Sequence, residues 1–264
     1  MNVVFVTGTA GAGKSLLTAS LLSWYHEKSQ SAIAVNLDPG VVALPYEPDV
    51  DVRTMIDIQE VMQKYSLGPN GALIFASDLI ASKLPELQDN IDSSNADFVV
   101  IDTPGQVELF AFRESGPYVA RGLRADSKAV LFLIDSLVAS SPTNFLSLLL
   151  LSTSVQLRME LPLLQVLSKT DLARNATEIV RWGGDAYQFE EALSKTKSGD
   201  SYNFYTQVFR ALKNASISTG LFPVSGYTRD GFISLVGELS RIGKGGEEFE
   251  EHWQGKAPAT CLES

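Results

Sequence analysis

Eight residues near the start of the chain have the spacing of a loop that binds phosphate: Gly8-Thr9-Ala10-Gly11-Ala12-Gly13-Lys14-Ser15. Glycines lack a Cβ, so successive backbone N–H groups can curl around phosphate oxygens, and a helix start directly after them adds partial positive charge. We expect the Lys14 ammonium to reach the β- and γ-phosphates of a nucleotide and the Ser15 hydroxyl to ligate Mg²⁺. Contacts to the nucleotide are therefore predicted at Gly11, Ala12, Gly13, Lys14, Ser15 and Leu16.

A second motif, Asp102-Thr103-Pro104-Gly105-Gln106, follows the apolar run Phe98–Ile101. An aspartate at the end of a buried strand can hold Mg²⁺ directly or through water, so Asp102 is a candidate metal ligand. The Gly105 N–H can be presented to the γ-phosphate, and Gln106 stands where GTPases orient the attacking water. Glu108 is either a further residue that acts on this water or a solvated acid at a helix start.

A third motif, Ser168-Lys169-Thr170-Asp171, is close to the N-K-x-D pattern with which GTPases bind guanine. The two oxygens of Asp171 can accept from the ring N–H and the exocyclic NH₂ of guanine, whereas adenine would leave them unpaired. We expect the Lys169 stem to lie along the base. Ser168 replaces the usual asparagine and puts the contact of that asparagine to neighbouring loops in doubt; an ordinary helix N-cap is the alternative. A fourth segment, Ser225-Gly226-Tyr227, resembles the last base-contacting loop of GTPases.

Two shorter segments, Asn36-Leu37-Asp38-Pro39-Gly40 and Gly68-Pro69-Asn70, complete the candidate site. Asp38 follows the second apolar run, so we expect it near the phosphate loop, where it would bind Mg²⁺ or its water or polarise the attacking water. A tight Asp-Pro-Gly turn is the alternative. Taken alone, Gly68-Pro69-Asn70 is typical of a turn.

These residues must be positioned by a sheet, because short apolar runs alternate with longer helical patterns along the chain. Continuous Val, Ile, Leu and Phe without alternation predicts strands covered on both faces. We predict an α/β fold, a three-layer P-loop NTPase with a mostly parallel central sheet and helical insertions. The predicted strands are Val3–Thr7, Ala32–Leu37, Asp97–Asp102, Ala129–Ile134, Leu163–Leu167 and Leu221–Val224.

The chain is predicted to form a single domain over residues 1–243, with insertions at about 41–95 and 173–218. Neither insertion is long and apolar enough to bury a core of its own. The helices predicted within them are Thr54–Tyr65, Ser77–Leu87, Asp185–Leu193 and Tyr202–Leu212. Residues 244–264 are expected to be a mobile acidic tail.

Composition excludes several classes of protein. The 264 residues include 21 Lys and Arg against 31 Asp and Glu, a net charge of -10, which argues against a nucleic-acid binder. One cysteine, Cys261, excludes an internal disulfide framework, and two distant histidines indicate no zinc site. Asp135, Pro142 and Asn144 interrupt the longest apolar stretch, so no membrane span is expected. The expectation is a cytoplasmic protein without nucleic-acid or membrane partners.

The motifs Gly8–Ser15, Asn36–Pro39, Gly68–Asn70, Asp102–Glu108 and Ser168–Asp171, in this order, resemble those of the GPN-loop GTPases. This resemblance implies a Mg²⁺-dependent GTPase of the signal-recognition and MinD-like branch, with GTP as substrate and GDP as product. It implies a homodimer in which Asn70, in the Gly-Pro-Asn loop, completes the partner's active site. Lys14 would stabilise transition-state charge, and Gln106, with Asp38 or Glu108, would orient the water.

The resemblance also implies a protein client, because eukaryotic members of that family are linked to the assembly and import of RNA polymerase. RNA polymerase subunits or a chaperone are thus expected partners by analogy, and the compact chain is more similar to archaeal members. Two alternatives remain open at this point. One is a nucleotide-gated scaffold with little hydrolysis, and the other is a small-molecule P-loop kinase that would use Arg113, Arg121 and Arg124. Arg53 is either an arginine finger or, as we favour, half of a surface ion pair.

Overall fold

The computed structural model describes residues 1–215 and 220–254 and contains a seven-stranded sheet in which every pairing is parallel. Its strands are β1 (Asn2–Gly8), β2 (Ala32–Asn36), β3 (Val50–Asp51), β4 (Phe98–Asp102), β5 (Ser127–Asp135), β6 (Leu163–Ser168) and β7 (Leu221–Pro223). They are ordered β3-β2-β4-β1-β5-β6-β7 across the sheet. Because all strands point the same way, the loops that follow them open at one edge.

Helices account for most of the remaining described chain. They are α1 (Lys14–Glu27), α2 (Ile58–Tyr65), α3 (Pro69–Ser82), α4 (Leu84–Ser93), α5 (Val107–Ala111), α6 (Ser115–Gly122), α7 (Pro142–Met159), α8 (Ala176–Gly184), α9 (Ala186–Ser194), α10 (Gly199–Asn214) and α11 (Phe232–Gln254). Short 3₁₀ turns lie at Val52–Thr54 and Val138–Ser140.

The sheet is buried on both faces, as the continuous apolar runs predicted. Alternate residues of β1 point to opposite sides: Val3 and Phe5 enter one core, and Val4 and Val6 enter the other. The first core is covered by α2 through α10, and the second by α1 and α11, which contribute Leu17, Leu21, Phe232 and Leu235. The three-layer α/β prediction is confirmed.

The region 41–95 differs from the sequence prediction in several places. Its first part contains the edge strand β3, too short to show a sequence pattern, with Val50 paired to Val35. The single helix predicted over Ser77–Leu87 is wrong, because the chain breaks at Lys83 between α3 and α4. Pro85 lies in the first turn of α4, and in the interior of one long helix it would remove a backbone hydrogen bond and clash with the preceding turn.

The second insertion contains the helices expected near Asp185–Leu193 and Tyr202–Leu212, seen as α9 and α10. Residues 216–219, where this insertion was expected to end, lie outside the described residues. The helix α11 continues to Gln254, and residues 255–264 of the expected tail also lie outside them. No helix among the described residues is long and apolar enough to cross a membrane.

Candidate functional site

The loop between β1 and α1 has backbone that strongly favours glycine. Gly8, Gly11 and Gly13 have φ of 148°, 77° and 93°, which side chains rarely allow. At Gly8 a Cβ would also come within 2.7 Å of the Leu133 carbonyl oxygen on β5. The spacing of these glycines therefore fits the geometry of a loop whose N–H groups surround an anion.

Lys14, the first residue of α1, has its ammonium inside this loop and is buried. Its Nζ donates to the carbonyl oxygens of Gly8 and Thr9, both at 3.1 Å, and of Gly105 at 2.8 Å. Burial lowers the pKa of Lys14, while the nearby charges of Asp102 and Asp38 oppose that shift. The three donors of the ammonium thus have neutral acceptors that phosphate oxygens can replace.

Asp102 ends β4 beside the phosphate loop and is only 2% exposed. Burial raises its pKa to about 6, against the opposing effects of the Ser15 hydroxyl and of Lys14. Tyr46 donates its hydroxyl to Asp102 Oδ2 at 3.1 Å, whereas the buried Oδ1 has no donor within hydrogen-bond geometry. A buried carboxylate oxygen without a partner, close to the Ser15 hydroxyl, fits a Mg²⁺ ion or its water.

Asp38 connects two loops at the edge of the sheet. Its Oδ1 accepts the N–H of Gly40 and its Oδ2 accepts the N–H of Gly105, both at 2.9 Å. The side chain of Asn36 holds the Asp38 backbone, accepting from its N–H at 3.0 Å and donating to its carbonyl at 3.2 Å. The structure therefore places Asp38 next to the phosphate loop, as expected, and also shows the tight-turn contact of the alternative. Its assignment as a metal ligand stays a prediction.

Gln106 and Glu108 lie on the open side of the site. Gln106 precedes the first turn of α5 in extended backbone, and Glu108 lies within that turn. Both side chains are exposed. Among residues 1–215 and 220–254, no side-chain hydrogen bond holds either group in a catalytic geometry, so their roles toward water stay predictions.

The predicted guanine-binding motif is hydrogen-bonded directly to the predicted phosphate loop. The Ser168 hydroxyl donates to the Ala12 carbonyl at 2.8 Å, which supplies the loop contact that the missing asparagine had put in doubt. The Lys169 stem lies near Gly13, where a Cβ would be 3.9 Å from its Cε. The Lys169 Nζ donates to Asp135 Oδ2 at 2.7 Å, so an acid at the end of β5 fixes the ammonium.

The last predicted base-contacting loop lies against the start of α1. The Ser20 hydroxyl donates to the Gly226 carbonyl at 2.6 Å, and a Cβ on Gly226 would be 3.3 Å from Leu16 Cγ. Ser225 is buried, and its Oγ accepts the N–H of Tyr227 at 3.2 Å. Nearby exposed side chains include those of Leu16, Asp171, Leu172 and Tyr227. Exposed apolar side chains at this edge of the sheet can contact the flat face of a base, and the acidic side chain can accept hydrogen bonds from its polar edge.

Gly68-Pro69-Asn70 is a helix start rather than the isolated turn that its composition predicts. Gly68 is the N-cap of α3 and Pro69 lies in its first turn, where the fixed φ of proline and its missing N–H cost nothing. Asn70 is exposed. The helix α3 nevertheless contacts the loop that carries Asp38, because Leu73 packs on Gly40. A Cβ on Gly40 would lie 2.3 Å from Leu73 Cδ2.

The basic residues considered for other functions are held in ion pairs. Arg53 pairs with Asp51 at 2.6 Å and donates to the Val41 carbonyl, so the ion-pair interpretation is confirmed. The three arginines of the kinase alternative each contact a different carboxylate: Arg113 with Asp78, Arg121 with Glu160 and Arg124 with Asp92. Arg113 and Arg121 line one open surface pocket, but each of the three guanidinium groups is already paired with a carboxylate, which does not favour their use on the phosphate of an acceptor.

Three residues of the site were missed in the sequence. Asp135 carried a signal, because it ends an apolar strand as Asp102 does. Leu73 is one of many apolar residues in α3. Tyr46 lies 56 residues from Asp102 in a segment without periodicity, and no sequence pattern predicted their contact.

Comparison with known proteins places the chain among nucleotide-binding relatives. A family model described as "Conserved hypothetical ATP binding protein" matches residues 6–244. The chain is 29% identical over 266 residues to GPN-loop GTPase 3 of Eremothecium gossypii, which covers 98% of this chain and 97% of that protein. It is 29% identical to GPN-loop GTPase 1 of Dictyostelium discoideum over 89% of this chain and 60% of that protein.

The chain therefore spans about three fifths of the length of some of the curated relatives that it matches. Among solved structures, the apo crystal form of a GTPase from Pyrococcus abyssi matches with a TM-score of 0.80 and 29% identity. That match covers 91% of this chain and 96% of the other.

Proposed function

This chain belongs to the GPN-loop GTPases, and from that premise we propose that it binds GTP and hydrolyses it to GDP and phosphate. The observation that carries the proposal is the joining of the predicted guanine-binding and phosphate-binding motifs by the Ser168–Ala12 hydrogen bond. A guanine base held at Asp171 and Lys169 would leave its phosphates in the loop that ends at Lys14 and Ser15.

We propose Mg²⁺ as the cofactor, with Asp102 and Ser15 as the residues that would hold it and Asp38 as a further candidate. Bound Mg²⁺ supplies neutralisation of charge on the phosphates. Lys14 stabilises charge on the transferring phosphate, and Gln106, with Asp38 or Glu108, orients the water. Phosphoryl transfer needs positioning and charge rather than covalent catalysis, so the proposed roles require no covalent intermediate on the protein.

The contacts of Gly105 support a conformational switch. Its N–H is donated to Asp38 and its carbonyl accepts from Lys14. A γ-phosphate in the loop would compete with Asp38 for the Gly105 N–H. It would also compete with the Gly105 carbonyl for the Lys14 ammonium. We propose that GTP releases the Asp38 loop, and that loss of phosphate restores the contact seen here. Through Gly40 and Leu73 this change would reach α3.

The exposed position of Asn70 at the start of α3 supports a homodimer in which this residue completes the partner's site. We further propose a protein client that is bound in one nucleotide state, with RNA polymerase subunits or a chaperone as candidates by family analogy. A pull-down in GDP and in a non-hydrolysable GTP analogue would identify that client.

Phosphate release from GTP alone, measured across protein concentration for wild type and Gln106→Ala, tests the proposal. We expect release without any acceptor, a rate per subunit that rises with dimer formation, and loss of most of this rate in Gln106→Ala. Binding of GTP without release would support the scaffold alternative instead. Formation of GDP without free phosphate, seen only when an acceptor is added, would support the kinase, because the γ-phosphoryl group then passes to the acceptor instead of to water.

A further inference from the structure

Tyr46 touches the candidate metal site from a segment that sequence reasoning did not assign to it. The segment joins β2 to β3 and is held at both ends. The Val41 carbonyl accepts from Arg53 at 3.0 Å, and Asp49 exchanges two hydrogen bonds with the Ala34 backbone at 2.8 and 2.9 Å. Between these ties the chain is largely exposed, and Val42 is 96% exposed. Tyr46 is half-buried and turns inward from this exposed stretch.

The contact between Tyr46 and Asp102 involves only one of the two carboxylate oxygens. The Tyr46 hydroxyl donates to Asp102 Oδ2 at 3.1 Å, while Oδ1 of the same carboxylate is buried without a donor. One oxygen is thus held by the protein and the other is left for a ligand. Outer hydrogen bonds of this kind orient metal-binding carboxylates, and their removal costs 10- to 100-fold in metal affinity.

An ionised carboxylate offers only acceptors, so the Tyr46 hydroxyl is the donor in this hydrogen bond to Asp102. The hydrogen bonds at Val41 and Asp49 hold the two ends of the segment that carries Tyr46, so the hydroxyl is delivered to Asp102 from a tethered segment.

Resting on the proposed function, we infer that Tyr46 is a positioning residue that holds Oδ2 of Asp102 and thereby directs Oδ1 to the Mg²⁺ that accompanies the nucleotide. Tyr46 takes no part in the chemical step. The opposite possibility, a latch that competes with the metal for Asp102, predicts the opposite sign for the same substitution.

The test compares wild type with Tyr46→Phe. The affinity of each protein for a fluorescent GDP analogue is measured in EDTA and then at increasing Mg²⁺ concentrations. Tyr187→Phe, which removes the hydroxyl of a 69% exposed tyrosine on α9, is the matched control. In Tyr46→Phe, we expect the Mg²⁺ concentration that gives half of the increase in nucleotide affinity to rise about 10- to 100-fold. The affinity measured in EDTA should be unchanged, and the control should equal wild type in both measurements.

A purely structural role would weaken binding equally with and without Mg²⁺, and that result would overturn the inference. So would a half-maximal concentration within about twofold of the wild-type value, or one below it, as the competing latch predicts. If wild type itself showed no effect of Mg²⁺, the proposed metal dependence would fail together with the inference. If wild type responds and Tyr46→Phe does not differ, only the inference fails.

Discussion

The Ser168 hydroxyl donates to the backbone carbonyl of Ala12 across 2.8 Å, although 156 residues separate them in the chain. This hydrogen bond joins the end of β6 to the phosphate loop, so the predicted base-binding and phosphate-binding segments are in direct contact. Ser168, which replaces the asparagine of the common GTPase motif, thus still contacts a neighbouring loop.

Removal of this hydrogen bond is expected to weaken nucleotide binding without unfolding the protein. In Ser168→Ala the Ala12 carbonyl loses a buried donor, which costs about 1 to 1.5 kcal/mol or roughly tenfold in affinity for GDP. Titration calorimetry of Ser168→Ala beside Ser82→Ala, an exposed serine on α3, measures this difference. Equal affinities in the two variants would refute a role for Ser168 in joining the loops.

The ion pair between Lys169 and Asp135 is expected to orient the lysine along the base. Asp135→Asn removes the charge that holds the ammonium, so affinity for GDP should fall about tenfold while affinity for ADP stays weak and unchanged. Glu160→Gln breaks the exposed pair with Arg121 and serves as the control, with no expected change. An equal loss for GDP and ADP would contradict a role specific to the base.

Stability of the metal-free protein should depend on pH through Asp102. Burial raises the pKa of this carboxyl from 3.8 to about 6, so the folded state binds the proton more tightly than the unfolded state. The resulting stabilisation is present below pH 4 and is lost as pH rises to about 6, up to about 3 kcal/mol. Urea unfolding of wild type and Asp102→Asn in EDTA measures it. We expect the difference in the free energy of unfolding between the two proteins to change between pH 4 and about 6. A difference that does not change with pH would contradict a raised pKa for Asp102.

The contact between Gly40 and Leu73 is expected to couple α3 to the Asp38 loop. A methyl group in Gly40→Ala would displace Leu73, whose Cδ2 lies 2.3 Å from the new Cβ. We expect GTP hydrolysis to fall about tenfold or more, since small displacements of catalytic groups are costly. The double variant with Leu73→Ala should recover part of the rate. Gly184→Ala, where a Cβ meets nothing within 4 Å, is the control, and an unaffected Gly40→Ala enzyme would argue against coupling.

The parts of the site that could be predicted from sequence are those that local rules determine. Continuous apolar runs specified buried parallel strands, and the residues that follow them, such as Asp102 and Asp38, had to meet at one edge. The glycine spacing before Lys14 likewise predicts a loop whose backbone adopts positive φ, a conformation that strongly favours glycine.

The parts that could not be predicted depend on contacts between distant segments. Nothing near Tyr46 in the sequence indicates that its hydroxyl meets Asp102, since the 41–49 segment has no periodic pattern and is placed by tertiary hydrogen bonds. The helical start at Pro69 was also missed, because the same Gly-Pro-Asn sequence suits a turn equally well and packing of α3 decides between them.

Parallel phosphate-release assays with GTP and with ATP on wild-type protein show whether this chain hydrolyses GTP and selects it by its base. We predict sustained release from GTP with Mg²⁺ and a value of kcat/KM for ATP at least about 100-fold lower, because adenine leaves the carboxylate of Asp171 unpaired. No release from GTP would contradict the proposed hydrolysis, and equal values of kcat/KM for the two nucleotides would contradict selection of guanine by Asp171.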